Sequence, residues 1–187
     1  FLTELEARHI KQEPGLFGFF RGRPQRKKLK PGYVVKQNRI SVANEASFFA
    51  DKLNMLRLFQ EALRTGYLLH PDVMRAVSSN LKLIDEEMRR DPEAVSIFLD
   101  LMLKHGNPER ALRRMNELGV LAAFLPEFAP IVAMMQFNMY HSYTVDEHTI
   151  QVISTLAQIE RGELKEELPV ASGILKETIN RKVLYLA

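Results

Sequence analysis

The stretch Asp91-Pro92-Glu93-Ala94-Val95-Ser96-Ile97-Phe98-Leu99-Asp100-Leu101-Met102-Leu103-Lys104-His105-Gly106-Asn107-Pro108-Glu109 decides the fold class. Asp91-Pro92-Glu93 opens one helix, Val95, Phe98, Leu99 and Met102 recur on it at helical spacing, and His105-Gly106 stops it. Asn107 then caps a second helix over Pro108-Glu109, whose Leu112, Met115 and Leu118 face inward until Gly119 ends it. Two helices joined by so tight a turn lie antiparallel.

The same punctuation extends toward the N-terminus. His70-Pro71-Asp72 starts a helix whose stripe is Val73, Val77, Leu81, Ile84 and Met88, with Pro71 tolerated at the first helical position. Before it, Phe48, Phe49, Leu53, Leu56, Phe59 and Leu63 mark another helix, closed by Thr65-Gly66. Tyr33-Val34-Val35-Lys36 and Arg39-Ile40-Ser41-Val42 flank Gln37-Asn38 as a short hairpin, too small to stand without the helices it leans on. The reading is a mainly α protein, a bundle of four antiparallel helices with one short β-hairpin near residues 33–42. Stripes of Leu, Met and Phe at this period report a core rather than a cofactor pocket. No internal repeat is found.

The chain has 187 residues, 46% of them apolar and 26% charged, the balance of an ordinary globular protein with room for a sizeable core. It contains no cysteine, which excludes disulfides and thiolate metal sites and makes a reducing cytoplasm the simplest home. Its longest apolar region, residues 120–137, is broken by Pro126, Glu127 and Pro130, so no membrane segment is expected. The chain opens on Phe1, and Arg181-Lys182-Val183-Leu184-Tyr185-Leu186-Ala187 is still rising in an apolar helical pattern, which reads as a piece of a longer protein.

The net charge of +3 is local. Arg21, Arg23, Arg26, Lys27, Lys28 and Lys30 stand together without an acid, and setting those six aside leaves 20 of the 26 basic residues against 23 acidic ones. With Pro14-Gly15 before it and Gly32 after it, residues 15–32 have the composition of a basic flexible linker.

The chemistry sits in Met134-Met135-Gln136-Phe137-Asn138-Met139-Tyr140-His141-Ser142-Tyr143-Thr144-Val145-Asp146-Glu147-His148-Thr149-Ile150, where aromatics, two histidines and two carboxylates crowd a helix start. Thr144-Val145-Asp146-Glu147 has the form of a capping box, the Thr144 hydroxyl accepting from an orphan amide and Glu147 reaching back to the Thr144 N–H. On the helix that follows, His148, Val152, Thr155 and Ile159 share a face, and Ile150, Ile153, Leu156 and Ala157 broaden the apolar side, so His148 borders the buried side. Spacing alone favours a hydrogen-bonded boundary histidine over a ligand. His141 precedes the cap and cannot be placed beside His148 by helical spacing, while Tyr140 and Tyr143 suit either a nucleotide-sized cleft or a packed approach to the helix. After a polar connection over residues 160–171, a last helix runs from about Ser172, its cap, with Ile174, Leu175, Ile179, Val183 and Leu186 inward. Nucleophile elbows, Walker loops, dinucleotide fingerprints and HExxH are absent from the sequence, and no catalytic constellation is complete in it.

The run from Met134 to His148 closely resembles the start of the HD domain in the bifunctional uridylyltransferase/uridylyl-removing enzymes. Leu112-Arg113-Arg114-Met115-Asn116-Glu117-Leu118-Gly119-Val120-Leu121, Phe124-Leu125-Pro126-Glu127-Phe128, Ile159-Glu160-Arg161-Gly162-Glu163-Leu164 and the residues from Arg181 to Ala187 carry the same likeness. The resemblance covers most of the chain from about Tyr33 and is weak in the basic stretch. It implies a nucleotidyltransferase domain that moves UMP from UTP to the PII signalling protein, an HD domain that hydrolyses the product with a divalent metal (Mg or Mn), and ACT domains that sense glutamine. It further implies that residues 1–14 are the tail of the nucleotidyltransferase domain, 33–132 a helical connector and 133–187 the leading part of the HD domain, cut before its His-Asp doublet.

Of the HD metal ligands the resemblance places one here, His148, with His141 and Tyr140 as candidates for lining the site. One imidazole does not hold a catalytic metal, so the expectation is a chain inactive in both directions and without a tightly bound divalent cation. UTP and glutamine would bind elsewhere in the longer protein, and nucleic acid is not an expected partner. Two other readings stand beside this one: a non-catalytic helical interaction module, and a tail of a tRNA nucleotidyltransferase-like protein whose basic linker contacts RNA.

Overall fold

The computed structural model describes residues 27–105, 108–132, 144–175 and 180–186. Strands β1 (Tyr33–Lys36) and β2 (Arg39–Val42) pair antiparallel with Val34 opposite Ser41. The turn lies at Gln37-Asn38 as expected, and both residues take positive φ, 47° and 62°, the primed-turn geometry whose twist matches that of the strands. A third strand, β3 (Leu68–Leu69), runs parallel to β2 and was not anticipated, since two residues are too short to show alternation. It fixes the hairpin to the helices, because the next amide, His70 N–H, donates to Ile40 O at 2.8 Å.

The helix expected over Phe48–Leu63 is two, α1 (Glu45–Ala50) and α2 (Asn54–Thr65). Asp51 makes the break: its backbone leaves the helical region and its carboxylate accepts from the Leu53 N–H at 3.0 Å. Gly66 ends α2 in the left-handed conformation, as the Thr65-Gly66 signal required.

The helix expected from Pro71 to Met88 is likewise broken, into α3 (Pro71–Ser79), a 3-10 turn at Leu81–Leu83 and α4 (Glu86–Arg90). Asn80 Nδ2 donates back to Ala76 O and Asp85 accepts from the Met88 N–H, so two short polar side chains end one helix and cap another. Val73, Val77, Ile84 and Met88 are nevertheless all buried.

Helix α5 (Pro92–Leu103) starts as read, with the Asp91 carboxylate accepting from Glu93 N–H and Ala94 N–H. Its inner face is Ala94, Ile97, Phe98, Leu101 and Met102, while Val95, expected inward, is exposed. Helix α6 (Pro108–Glu117) buries Leu112 and Met115 and ends at Gly119, again left-handed; its expected cap, Asn107, lies outside the described residues. Then come α7 (Val120–Phe124), a 3-10 segment (Pro126–Ile131), α8 (Val145–Glu160), α9 (Pro169–Ile174) and α10 (Arg181–Leu186).

The core is the space between α2, α3, α5 and α6, filled by Leu56, Phe59, Val77, Met88, Leu101 and Met115. Each such side chain contributes about 1.5–3 kcal/mol by burial. The end of the basic stretch lies against α2: Lys30 N–H donates to Glu61 Oε1 at 2.9 Å, and Arg64 Nη2 to Lys28 O at 2.6 Å.

The C-terminal expectation is corrected. Ser172 is not a cap; it sits inside α9, where Pro169 takes the first helical position. Ile174, Val183 and Leu186, expected inward, are each more than half exposed, and α10 instead buries Tyr185; Ile179 lies outside the described residues. A pattern rich in apolar residues on several faces did not specify which face docks. No helix among the described residues is long and apolar enough to cross a membrane.

Candidate functional site

Helix α8 begins at Val145 with Thr144 as its N-cap residue, as the sequence required, but the capping box does not form. The Thr144 side chain makes no capping bond, and Glu147 turns outward to pair with Arg113 on α6. Asp146 and Glu147 lie in the first turn, where negative charge suits the helix dipole. Tertiary partners on a neighbouring helix have outcompeted the local cap.

Those partners form a seam along α6. Asn116 Nδ2 donates to Asp146 Oδ2 at 2.7 Å, Arg113 bridges Glu147 and its own-helix neighbour Glu109, and the Ser154 hydroxyl donates to Glu109 Oε2. Gln158 Nε2 extends the line by donating to Ser154 Oγ. Between these polar contacts Ile150 is wholly buried against the core. The inward face of α8 is therefore Asp146, Ile150, Ser154 and Ala157, at three- and four-residue spacing.

His148 falls on the other side. It is exposed, and so is Val152 one turn along, which corrects the expectation that His148 borders the buried side; only Ile159, at the far end of that row, is buried. The helix thus holds an imidazole at its outer surface, in its first turn, while the two carboxylates next to it in sequence are committed to α6. His141 and Tyr140 lie outside the described residues.

The residues present do not make a divalent metal site by themselves. No group of three or more His, Cys, Asp or Glu side chains is gathered among the described residues, and Asp146 and Glu147 are tied to Asn116 and Arg113. His148 can offer one imidazole ligand. Sequence reasoning singled out that residue but missed Glu109, Arg113 and Asn116, which orient its helix. The Glu109–Arg113 pair was legible as a four-residue ion-pair spacing; its reach to α8 was not.

Residues 33–124 match the third domain of uridylyltransferase GlnD. Over all 187 residues the chain is 67% identical to a bifunctional uridylyltransferase/uridylyl-removing enzyme of Ruegeria pomeroyi and 65% identical to one of Cereibacter sphaeroides, covering 20% of the length of each. A third such enzyme, from Azospirillum brasilense, is 43% identical over 162 residues, which is 87% of this chain and 17% of that protein. No solved structure matches the chain. The matched domain ends with α7, so α6 belongs to it and α8 follows it. The chain belongs to the uridylyltransferase GlnD family, its residues 33–124 being the third domain and the whole spanning one fifth, 20%, of the length of its relatives in Ruegeria and Cereibacter.

Proposed function

We propose that this chain is the helical connector (33–132) and the leading part of an HD hydrolase domain (133–187) of a cytoplasmic protein that transfers UMP from UTP to PII and removes it by hydrolysis. On this reading residues 1–14 end a nucleotidyltransferase domain and 15–32 are a basic linker, while UTP and glutamine bind parts of the protein beyond these residues. The names of the relatives support both activities. The observation that carries the reading is the seam between α6 and α8, which fixes the helix bearing His148 to the connector and leaves the imidazole facing out. The connector then serves as the fixed wall of a hydrolytic site, and His148 is the first of several ligands to Mg or Mn, with His141 and Tyr140 remaining candidates for lining that site.

The metal, when held by the complete ligand set, would activate water and polarise the phosphodiester. One imidazole cannot do this, so the residues of this chain are assigned positioning and a single ligand, not turnover. In the full-length protein, His148→Ala should remove hydrolysis of uridylyl-PII and leave uridylylation of PII intact. Hydrolysis at the unaltered rate would refute the assignment.

A further inference from the structure

Glu147 and Ser154 stand two turns apart on α8, about 10 Å along its axis, and one pair of side chains on α6 holds them both. Arg113 Nη1 pairs with Glu147 Oε2, Arg113 Nη2 donates to Glu109 Oε1 at 2.7 Å, and Glu109 Oε2 accepts from the Ser154 hydroxyl at 2.5 Å. These contacts form a clamp that leaves α8 in its first turn, crosses α6 and returns to α8 at Ser154. The Arg113 and Glu147 side chains are 34% and 26% exposed, so solvent screens this pair less than an ordinary surface ion pair.

The clamp lies on one edge of the buried face. At about 100° per residue, Asp146 and Glu147 bound an arc of about 100° with Ile150 between them, and Ser154 projects within about 20° of Glu147. Asn116 holds one edge of that arc through Asp146, and the clamp holds the other. Ile150, buried between the edges, resists lifting of the helix but not its rotation, because apolar contact is non-directional. The two polar edges therefore set the roll of α8. His148 projects about 100° beyond the Glu147 edge, so the clamp is the nearer restraint on it.

We propose that Arg113 is the positioning residue that aims His148: by gripping Glu147 and, through Glu109, Ser154, it fixes the roll of α8 and with it the direction of the imidazole. The inference rests on the reading of His148 as a metal ligand given above. An imidazole about 5–6 Å from the helix axis swings by about 1 Å for a roll of about 10°, whereas ligand distances at a metal are held to about 0.2 Å. A helix free to roll would present the ligand out of place while still burying Ile150. Glu147 serves the clamp rather than the metal.

The test follows Mn(II) binding to the full-length protein by loss of the free-ion electron paramagnetic resonance signal, counting the part that His148→Ala removes, with melting temperatures measured alongside. Arg113→Met should weaken that binding by about 10–100-fold, the usual effect of losing a group that orients a ligand. Glu147→Gln, whose amide oxygen still accepts from the guanidinium, should bind close to the unaltered protein. Arg113→Lys keeps the charge without the fork that spans both carboxylates and should fall between the two; it carries the test if Arg113→Met does not fold. A lowered melting temperature with Mn(II) binding unchanged in the Arg113 variants would make the residue merely structural and overturn the proposal. Tighter binding in Arg113→Met, the result if a released Glu147 took up the metal, would overturn it as well. Should His148→Ala itself leave Mn(II) binding unchanged, the metal reading falls and the inference with it, whereas a loss in His148→Ala without one in the Arg113 variants removes the positioning role alone.

Discussion

Asn116 on α6 and Asp146 on α8 meet through a hydrogen bond of 2.7 Å, and each keeps one side-chain oxygen, Oδ1, buried without a donor among the described residues. The contact joins the family's third domain to the helix that presents His148, so its chemistry decides how firmly the two are held. Removing Asn116 would strand the Asp146 carboxyl in the interior. Asn116→Ala should therefore cost about 1–3 kcal/mol, read as a lower melting temperature. Asp146→Asn should do the opposite: it keeps the acceptor for Asn116 Nδ2, supplies an N–H to Asn116 Oδ1, and should hold or raise the melting temperature. Equal destabilisation by both substitutions would contradict this account of the seam.

Glu61 ties the end of the basic stretch to α2, and its protonation should loosen that tie. Burial alone would push its carboxyl up, but hydrogen bonds from Arg64 and from the Lys30 N–H outweigh burial and hold it below the usual carboxylate range. A group whose native pKa lies below its unfolded value stabilises the fold above the unfolded pKa, and that contribution fades as pH falls through the native one. Urea unfolding midpoints should accordingly decline as pH drops below about 4.3, and Glu61→Gln should start lower at neutral pH and decline less. The same variant should speed trypsin cleavage after Lys28, whose carbonyl Arg64 holds in place beside the bond from Lys30 N–H to the native carboxylate.

Helix starts were the most legible part of the fold. Asp91, His70 and Thr144 all stand at the N-terminal boundaries where the sequence put them, because a short polar side chain before Pro or an acidic turn has few other uses. Breaks inside apolar stripes were not legible: Asp51, Asn80 and Asp85 interrupt the backbone, yet Val77, Ile84 and Met88 stay in the core. Burial reads the spacing of side chains, and a kinked chain can deliver the same spacing as a straight one. At the candidate site the face of His148 was not legible, since the local capping box lost to Arg113 and Asn116, residues about 30 positions away in sequence with no local signature of their reach.

Two left-handed glycines offer a controlled comparison. Gly66 and Gly119 have nearly the same φ, 76° and 78°, but a Cβ at Gly66 would meet nothing within 4 Å, whereas at Gly119 it would lie 2.9 Å from Leu81 Cδ1. Gly66→Ala should show the backbone cost alone, about 1–2 kcal/mol. Gly119→Ala should lose more, because Leu81 must shift within the packing of α7 against the 3-10 turn at Leu81–Leu83. Calorimetric melts of the two variants side by side measure the difference, and equal losses would mean that Leu81 yields freely.

The hairpin turn carries a conformational cost that the rest of the sheet tolerates. Gln37 and Asn38 both adopt positive φ, yet only Asn is well suited to that region; Gln gains no local hydrogen bond to offset the clash of its Cβ. Gln37→Asn with Asn38→Gly would install the pair that primed turns favour, and should stabilise the chain by about 0.5–1 kcal/mol. The effect should reach α3, because β2 is bonded both to β1 and to β3, and the His70 N–H that follows β3 donates to Ile40 O. Hydrogen exchange at His70 should therefore slow along with exchange in β2. Slower exchange confined to Val35 and Ile40, with His70 unchanged, would show that the hairpin and the helix start open independently.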